Sequence, residues 1–220
     1  MATFFGNRNR LHEPVWHVQL AMLVAIVLQL LLPDRFVVFD SRYALITAEA
    51  LLLIAMSFTT PRERVFRSIS RRINVILLIA VTSVANGYSL FEVTRHLLQS
   101  HVSNGRDLIL AAVNIYITNI IIFGLWYWEM DGGGPGRRAE IARHEQDFMF
   151  PQNQNESYKH PHWRPTFIDY LYVSSTNAMA FSPTDTMPLS RRAKVLMLVQ
   201  ATLSLIAVAL VAARAVNILH

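Results

Sequence analysis

Glu49 is a carboxylate set inside an apolar run, Tyr43 to Phe58. A charged carboxylate at the bilayer centre costs about 2.5–3.5 kcal/mol on insertion scales, so it must face protein or carry a proton. Asn86, Glu92 and Asn114 sit in or beside the next two apolar runs, and Gln29 in the run before. Counted inward from one side, they predict a single polar cluster in the outer half of a helical bundle. Two chemistries fit such a cluster. It is an ion or proton site, or a hydrogen-bonded set that helps helices associate.

A second set lies towards the C-terminus. Ser174, Ser175, Thr176 and Asn177 end a moderately apolar segment that begins at Thr166; Phe181 and Asp185 follow, and Gln200 and Ser204 stand in the last apolar run. Gln200, Ser204, Ala207, Val211 and Arg214 alternate in spacings of four and three, which places them on one stripe of a helix. That stripe either lines a solute pathway or packs small and polar residues against a neighbouring helix. If a pathway exists, Ser174, Ser175, Thr176, Asn177, Phe181, Asp185, Gln200 and Ser204 are its expected lining. Thr184 and Asp185 also suit a turn, because their side chains can accept from nearby backbone N–H groups.

Other chemistry finds no footing. His160 and His162 are two residues apart and share no helical face, so with Asp169 and Asp185 they make no metal site of recognisable spacing. No nucleophile elbow, phosphate loop or dinucleotide fingerprint occurs. Gly132-Gly133-Gly134 follows an apolar run instead of opening a helix, so it cradles no phosphate. The chain has no cysteine, which excludes disulfides and thiolate chemistry. No catalytic residue, metal or cofactor is expected.

These residues must be positioned by five apolar runs: Val15–Leu32, Tyr43–Phe58, Ile73–Phe91, Leu108–Trp128 and Val195–Ala213. Runs of about 18 apolar residues read as membrane-spanning helices, and these do not alternate as barrel strands would. The expected fold is therefore an all-α integral membrane protein of about five transmembrane helices. Thr166–Phe181 is too short and too polar for a full span and reads as a re-entrant helix shielded by protein. The organisation is a four-helix region over 1–130, a polar loop over 131–165, and a re-entrant helix, loop and final helix over 166–220. Trp126-Tyr127-Trp128 reads as an interfacial aromatic belt. Within the loop, Arg137–Gln146 suits a short surface helix.

Basic residues set the orientation. Fifteen of the twenty Lys and Arg fall in the N-terminal segment, the connection Arg62–Arg72 and the region between the fourth and last runs. The excess predicts that those segments, and the N-terminus, are cytoplasmic. The net charge of +5 is thus a topology signal, and no nucleic-acid partner is expected; the membrane lipid is.

From Tyr127 onward the chain resembles a family of small uncharacterised bacterial integral membrane proteins. The residues that carry the likeness are Tyr127-Trp128-Glu129, Asp131, Gly133-Gly134-Pro135, Phe148–Gln152, Trp163, Pro165, Asp169-Tyr170-Leu171-Tyr172, Phe181-Ser182-Pro183-Thr184-Asp185 and Arg214–Asn217. The resemblance implies a bacterial inner-membrane protein and supplies architecture, not activity. The order of short helix, loop and final helix also resembles the pore region of tetrameric cation channels. Phe181 falls near the filter aromatic, and Asp185 and Pro188 match the Asp-x-x-Pro after it. That likeness implies a homo-oligomeric, tetrameric channel-like pore for an ion or small solute. No glycine flanks Phe181, so it implies no potassium selectivity. The alternative is a non-transport scaffold whose long loop recruits a partner.

Overall fold

The structure, a computed structural model, describes residues 16–37, 42–58, 69–98, 105–138, 145–154, 163–180 and 185–218. It is almost entirely helical. Helices α1 (Trp16–Leu30), α2 (Arg42–Phe58), α3 (Ile69–Leu98) and α4 (Gly105–Met130) are followed by two single-turn helices, α5 (Pro135–Arg138) and α6 (Pro151–Gln154). Then come α7 (Phe167–Ala180) and α8 (Arg191–Ile218). The only strands among the described residues are β1 (Phe148–Met149) and β2 (Met187–Pro188), an antiparallel pair joining Phe148 to Pro188 and Met149 to Met187.

Among the described residues, three helices are long and apolar enough to cross a membrane: Arg71–Leu98, Arg106–Gly133 and Arg191–Arg214. At 1.5 Å per residue they measure roughly 36–42 Å, more than the ~30 Å hydrocarbon core. They run past the apolar stretches of the sequence because polar end residues continue the helix. The 15 residues of α1 and the 17 of α2 fall below that length.

Helix α4 is the centre of the molecule, packing against α1, α3, α7 and α8. Arg72 at the start of α3 meets Glu129 at the end of α4 at 3.4 Å. At the opposite end Arg35 pairs with Asp107 at 3.0 Å, and Phe36 packs edge-on against His96. These contacts make α3 and α4 antiparallel. Tyr170, in the first turn of α7, donates to Asp131 just past α4, while Leu189, just before α8, donates to the Asp147 carbonyl. Gly132 in turn donates to the Asp147 carboxylate. Both α7 and α8 therefore begin at the end where α4 stops.

Two apolar cores follow from this arrangement. One, nearer the Asp131 end, gathers Val18, Met22, Leu78, Ile122, Leu125, Trp128, Phe148 and Tyr170. The other holds Leu32, Phe36, Leu90, Leu108, Ile115 and Ala207 at the far end. Tyr127 and Trp128 are 0% and 1% exposed. They fill the first core and do not form the interfacial belt that their position at the end of an apolar run suggests.

Candidate functional site

The end of α4 is capped by its own following chain. Gly132, Gly133 and Gly134 take φ of 60°, 84° and 97°, values that residues with a Cβ rarely adopt. The reversal puts the fully buried Asp131 under the loop. Its Oδ1 accepts the N–H of Asp147 at 2.6 Å and of Phe148 at 3.3 Å, and its Oδ2 accepts the Tyr170 hydroxyl. Arg138 donates to the Trp128 carbonyl at 2.8 Å and lies 4.9 Å over the Tyr170 ring. Phe150 packs on both Trp163 and Tyr170. Asp169 ties down the start of α7: its Oδ2 accepts both the Thr166 N–H at 2.7 Å and the Thr166 hydroxyl at 2.9 Å, the carboxylate half of a capping box. Many residues of the bacterial-family pattern thus meet at one end of the bundle.

Beneath this cap, α4, α7 and α8 are joined by a buried polar network. Gln200 Oε1 accepts from the Tyr127 hydroxyl at 2.5 Å and from Asn177 Nδ2 at 2.9 Å. Its Nε2 donates to the carbonyl of Ser174 at 2.9 Å and to its Oγ at 2.6 Å. Gln200 therefore makes the four bonds its amide can make. Ser174 Oγ donates onward to the Ile120 carbonyl at 2.6 Å, and Asn177 Nδ2 to the Met197 carbonyl at 3.0 Å. Asn119 Nδ2 donates to Ser204 Oγ at 2.9 Å. Of the residues expected to line a pathway, Ser174, Asn177, Gln200 and Ser204 are thus brought together, facing α4. Ser175 and Thr176 are half-buried, and Thr176 Oγ1 bonds back to the Tyr172 and Val173 carbonyls. Asp185 is exposed. Phe181 lies outside the described residues, as do His160, His162 and the arginines at 62, 64 and 67 of the basic connection.

The cluster expected in the first four helices divides. Glu49 is 0% exposed and Gln29 5%. Neither Glu49 oxygen and neither Gln29 side-chain atom has a hydrogen-bond partner. Thr82 and Gln29 stand close enough to act on the Glu49 carboxylate as hydrogen-bonding groups, but no bond to it meets full hydrogen-bond geometry. Asn86, one turn beyond Thr82, donates to the Ile115 carbonyl at 3.3 Å and leaves its Oδ1 unpartnered. Asn114 donates to the Leu28 carbonyl at 2.8 Å. Glu92 stands apart from Glu49, pairing with Arg95 at 3.3 Å and facing His96 at 4.0 Å.

Several site residues carry no chemical signal of their own in the sequence, though Tyr127 and Asp131 belong to the pattern quoted from Tyr127 onward. Tyr127 and Asn119 are hidden in an apolar run, and Asp131, Arg138 and Asp147 in a polar loop that carries no periodic signal of burial. Arg138 and Gln146, expected on a surface helix, are buried; residues 139–144 between them lie outside the described residues. The glycine triplet was the one readable sign of a tight reversal. Comparison with family models, with curated proteins and with solved structures gives no match.

Proposed function

We propose that the chain is a multi-pass protein of the bacterial inner membrane that assembles into a homo-oligomeric, channel-like pore for ions or small solutes. The observation that carries this reading is the packing of α7 against both α4 and α8, with α7 and α8 beginning at the same end of α4. In this reading α1 to α4 and α8 cross the bilayer with the N-terminus and the Asp131 end in the cytoplasm, where the excess of Lys and Arg lies. At 14 residues, α7 is roughly 21 Å long. It enters from the cytoplasmic face as a re-entrant helix shielded by α4 and α8. An outer helix, a short inserted helix and an inner helix are the parts from which oligomeric pores are built.

In this reading the conduit is lined by a different face from the polar residues. Ser174, Asn177, Gln200 and Ser204 hold the wall together, because their polar atoms are spent within one chain. The uncovered face of α8 carries Val195, Leu198, Val199, Thr202, Leu205 and Ile206. Turned to a central axis, that face makes an apolar conduit of the kind that gates by dewetting, with Asp185 at its cytoplasmic mouth. The same internal bonding favours the second reading, a non-conducting scaffold whose cap recruits a partner.

Flux and cross-linking separate the two. The chain has no cysteine, so single cysteines at Thr202 or Leu205 report cleanly. A pore requires disulfide-linked oligomers through α8 and ion or solute efflux from proteoliposomes above empty vesicles. A monomer in mild detergent with no efflux of potassium, sodium, chloride or glycerol leaves the scaffold reading.

A further inference from the structure

We propose that Glu49, with Gln29 and Thr82, forms a binding site for a small dehydrated monovalent cation inside the α1–α3 bundle. The site rests neither on the pore nor on the scaffold reading. Glu49 stands near the middle of α2, which packs against α1 and α3. Its side chain is fully buried, and both carboxylate oxygens lack a hydrogen-bond partner.

Buried polar atoms are almost always paired, and an unpaired set calls for an explanation such as a bound ion. Here the unpaired atoms are predominantly oxygens: two from Glu49, Oε1 of Gln29 and, one turn along α3, Oδ1 of Asn86. Thr82 Oγ1 gives its proton to the Leu78 carbonyl at 2.8 Å, so its lone pairs remain to accept or coordinate. Gln29 Nε2 is also unpartnered and is within reach of the carboxylate by rotation of the amide, whose oxygen and nitrogen are assigned and not observed.

Charge selects the ligand. No charged side chain among the described residues acts on Glu49; its polar neighbours are Thr82 and Gln29. One carboxylate neutralises one unit charge. A divalent ion would leave a net positive charge in a low-dielectric interior, where an uncompensated charge is strongly disfavoured. A proton neutralises Glu49 and gives it one O–H donor, enough for a single further acceptor such as Gln29 Oε1, and leaves the Asn86 oxygen unpaired. A monovalent cation of sodium type prefers oxygen ligands and can meet several at once. The donors come from α1, α2 and α3, so binding ties together the two short helices and the long one.

The test is thermal unfolding of the purified protein in mild detergent, in sodium, potassium or N-methyl-D-glucamine chloride at equal ionic strength and at two pH values, alongside retention of radioactive sodium. At roughly ten times its dissociation constant a bound cation raises Tm by about 3–6 °C for a chain of this size. That rise should be saturable, smaller at the lower pH, and absent from Glu49→Gln. Thr82→Val should weaken it and serves as the second variant if Glu49→Gln does not fold. Equal Tm in all three salts with no sodium retained overturns the proposal. So does a Tm that responds to pH but not to the cation, or a sodium effect that persists in Glu49→Gln.

Discussion

Gln200 and Glu49 are both fully buried polar side chains in apolar helices, yet their surroundings are opposites. Around Gln200 the amide is saturated, and the bonds pass from Tyr127 and Asn177 through Ser174 to the Ile120 carbonyl. Around Glu49 no side-chain oxygen has a well-formed hydrogen bond, although Thr82 and Gln29 lie beside it as weakly placed hydrogen-bonding groups. Both groups were taken out of water at a cost. At Gln200 that cost is offset inside the chain, so the residue acts as a clamp that fixes α7 between α4 and α8. At Glu49 it is not, so the α1–α3 half keeps an open valence for something the chain does not supply. Buried polarity in an apolar helix is therefore not itself a functional mark; the state of its hydrogen bonds is.

The largest test of the saturated half is Asp131. Replacing it with Ala leaves the N–H groups of Asp147 and Phe148 and the hydroxyl of Tyr170 without an acceptor. The expected loss is about 3–5 kcal/mol, read as a collapse of the folded fraction in detergent. A stable Asp131→Ala protein would show that the cap does not depend on it. Next is Gln200→Leu, which takes the acceptor from the Tyr127 hydroxyl and one partner each from Asn177 and Ser174, and should cost about 2–3 kcal/mol. Tyr127→Phe should then cost less in the Gln200→Leu background than alone, with a coupling of about 0.5–2 kcal/mol. Additive effects would mean that the two residues are not one unit. Gly134→Ala is smaller. At φ +97° its new Cβ would stand 3.1 Å from Glu129 Oε1 and 3.2 Å from the Glu129 carbonyl, a strain of about 1–3 kcal/mol. Unchanged thermal stability would remove the left-handed reversal from the account.

The parts of this molecule that were legible are those whose signal is local. Helices α3, α4 and α8 follow from apolar runs, and the polar residues Ser174, Asn177, Gln200 and Ser204 announced themselves by interrupting such runs. Their direction did not. That they turn towards α4 depends on Asn119, Ile120 and Tyr127, more than fifty positions before Gln200 and Ser204, and no period in the sequence reports it. The cap was invisible for a related reason. Asp131 and Asp147 look like solvated loop residues until the glycine reversal folds one beneath the other. The pairing of Phe148–Met149 with Met187–Pro188 is two residues long and too short to leave an alternation. Depth alone groups Glu92 with Glu49, yet ten residues of helix separate it from Thr82, roughly 15 Å along the axis.

The smallest expected effect, and the one that sharpens the contrast most, is Glu49→Leu in a buffer whose only cation is N-methyl-D-glucamine. Removing a saturated polar group strands its partners, but Glu49 makes no well-formed bond to strand, only the loose approach of Thr82 and Gln29. What disappears is a buried carboxyl, and what replaces it is a side chain of similar volume that suits an apolar interior. Substituting buried ionic groups by well-packed apolar ones is often neutral or stabilising. The expected change is within about 1 kcal/mol of zero, on the stabilising side. Gln200→Leu, made under the same conditions, should move Tm in the opposite direction. A loss at Glu49 as large as the loss at Gln200 would mean that the carboxylate is bonded inside the chain after all, and the distinction between a clamp and an open site would fail.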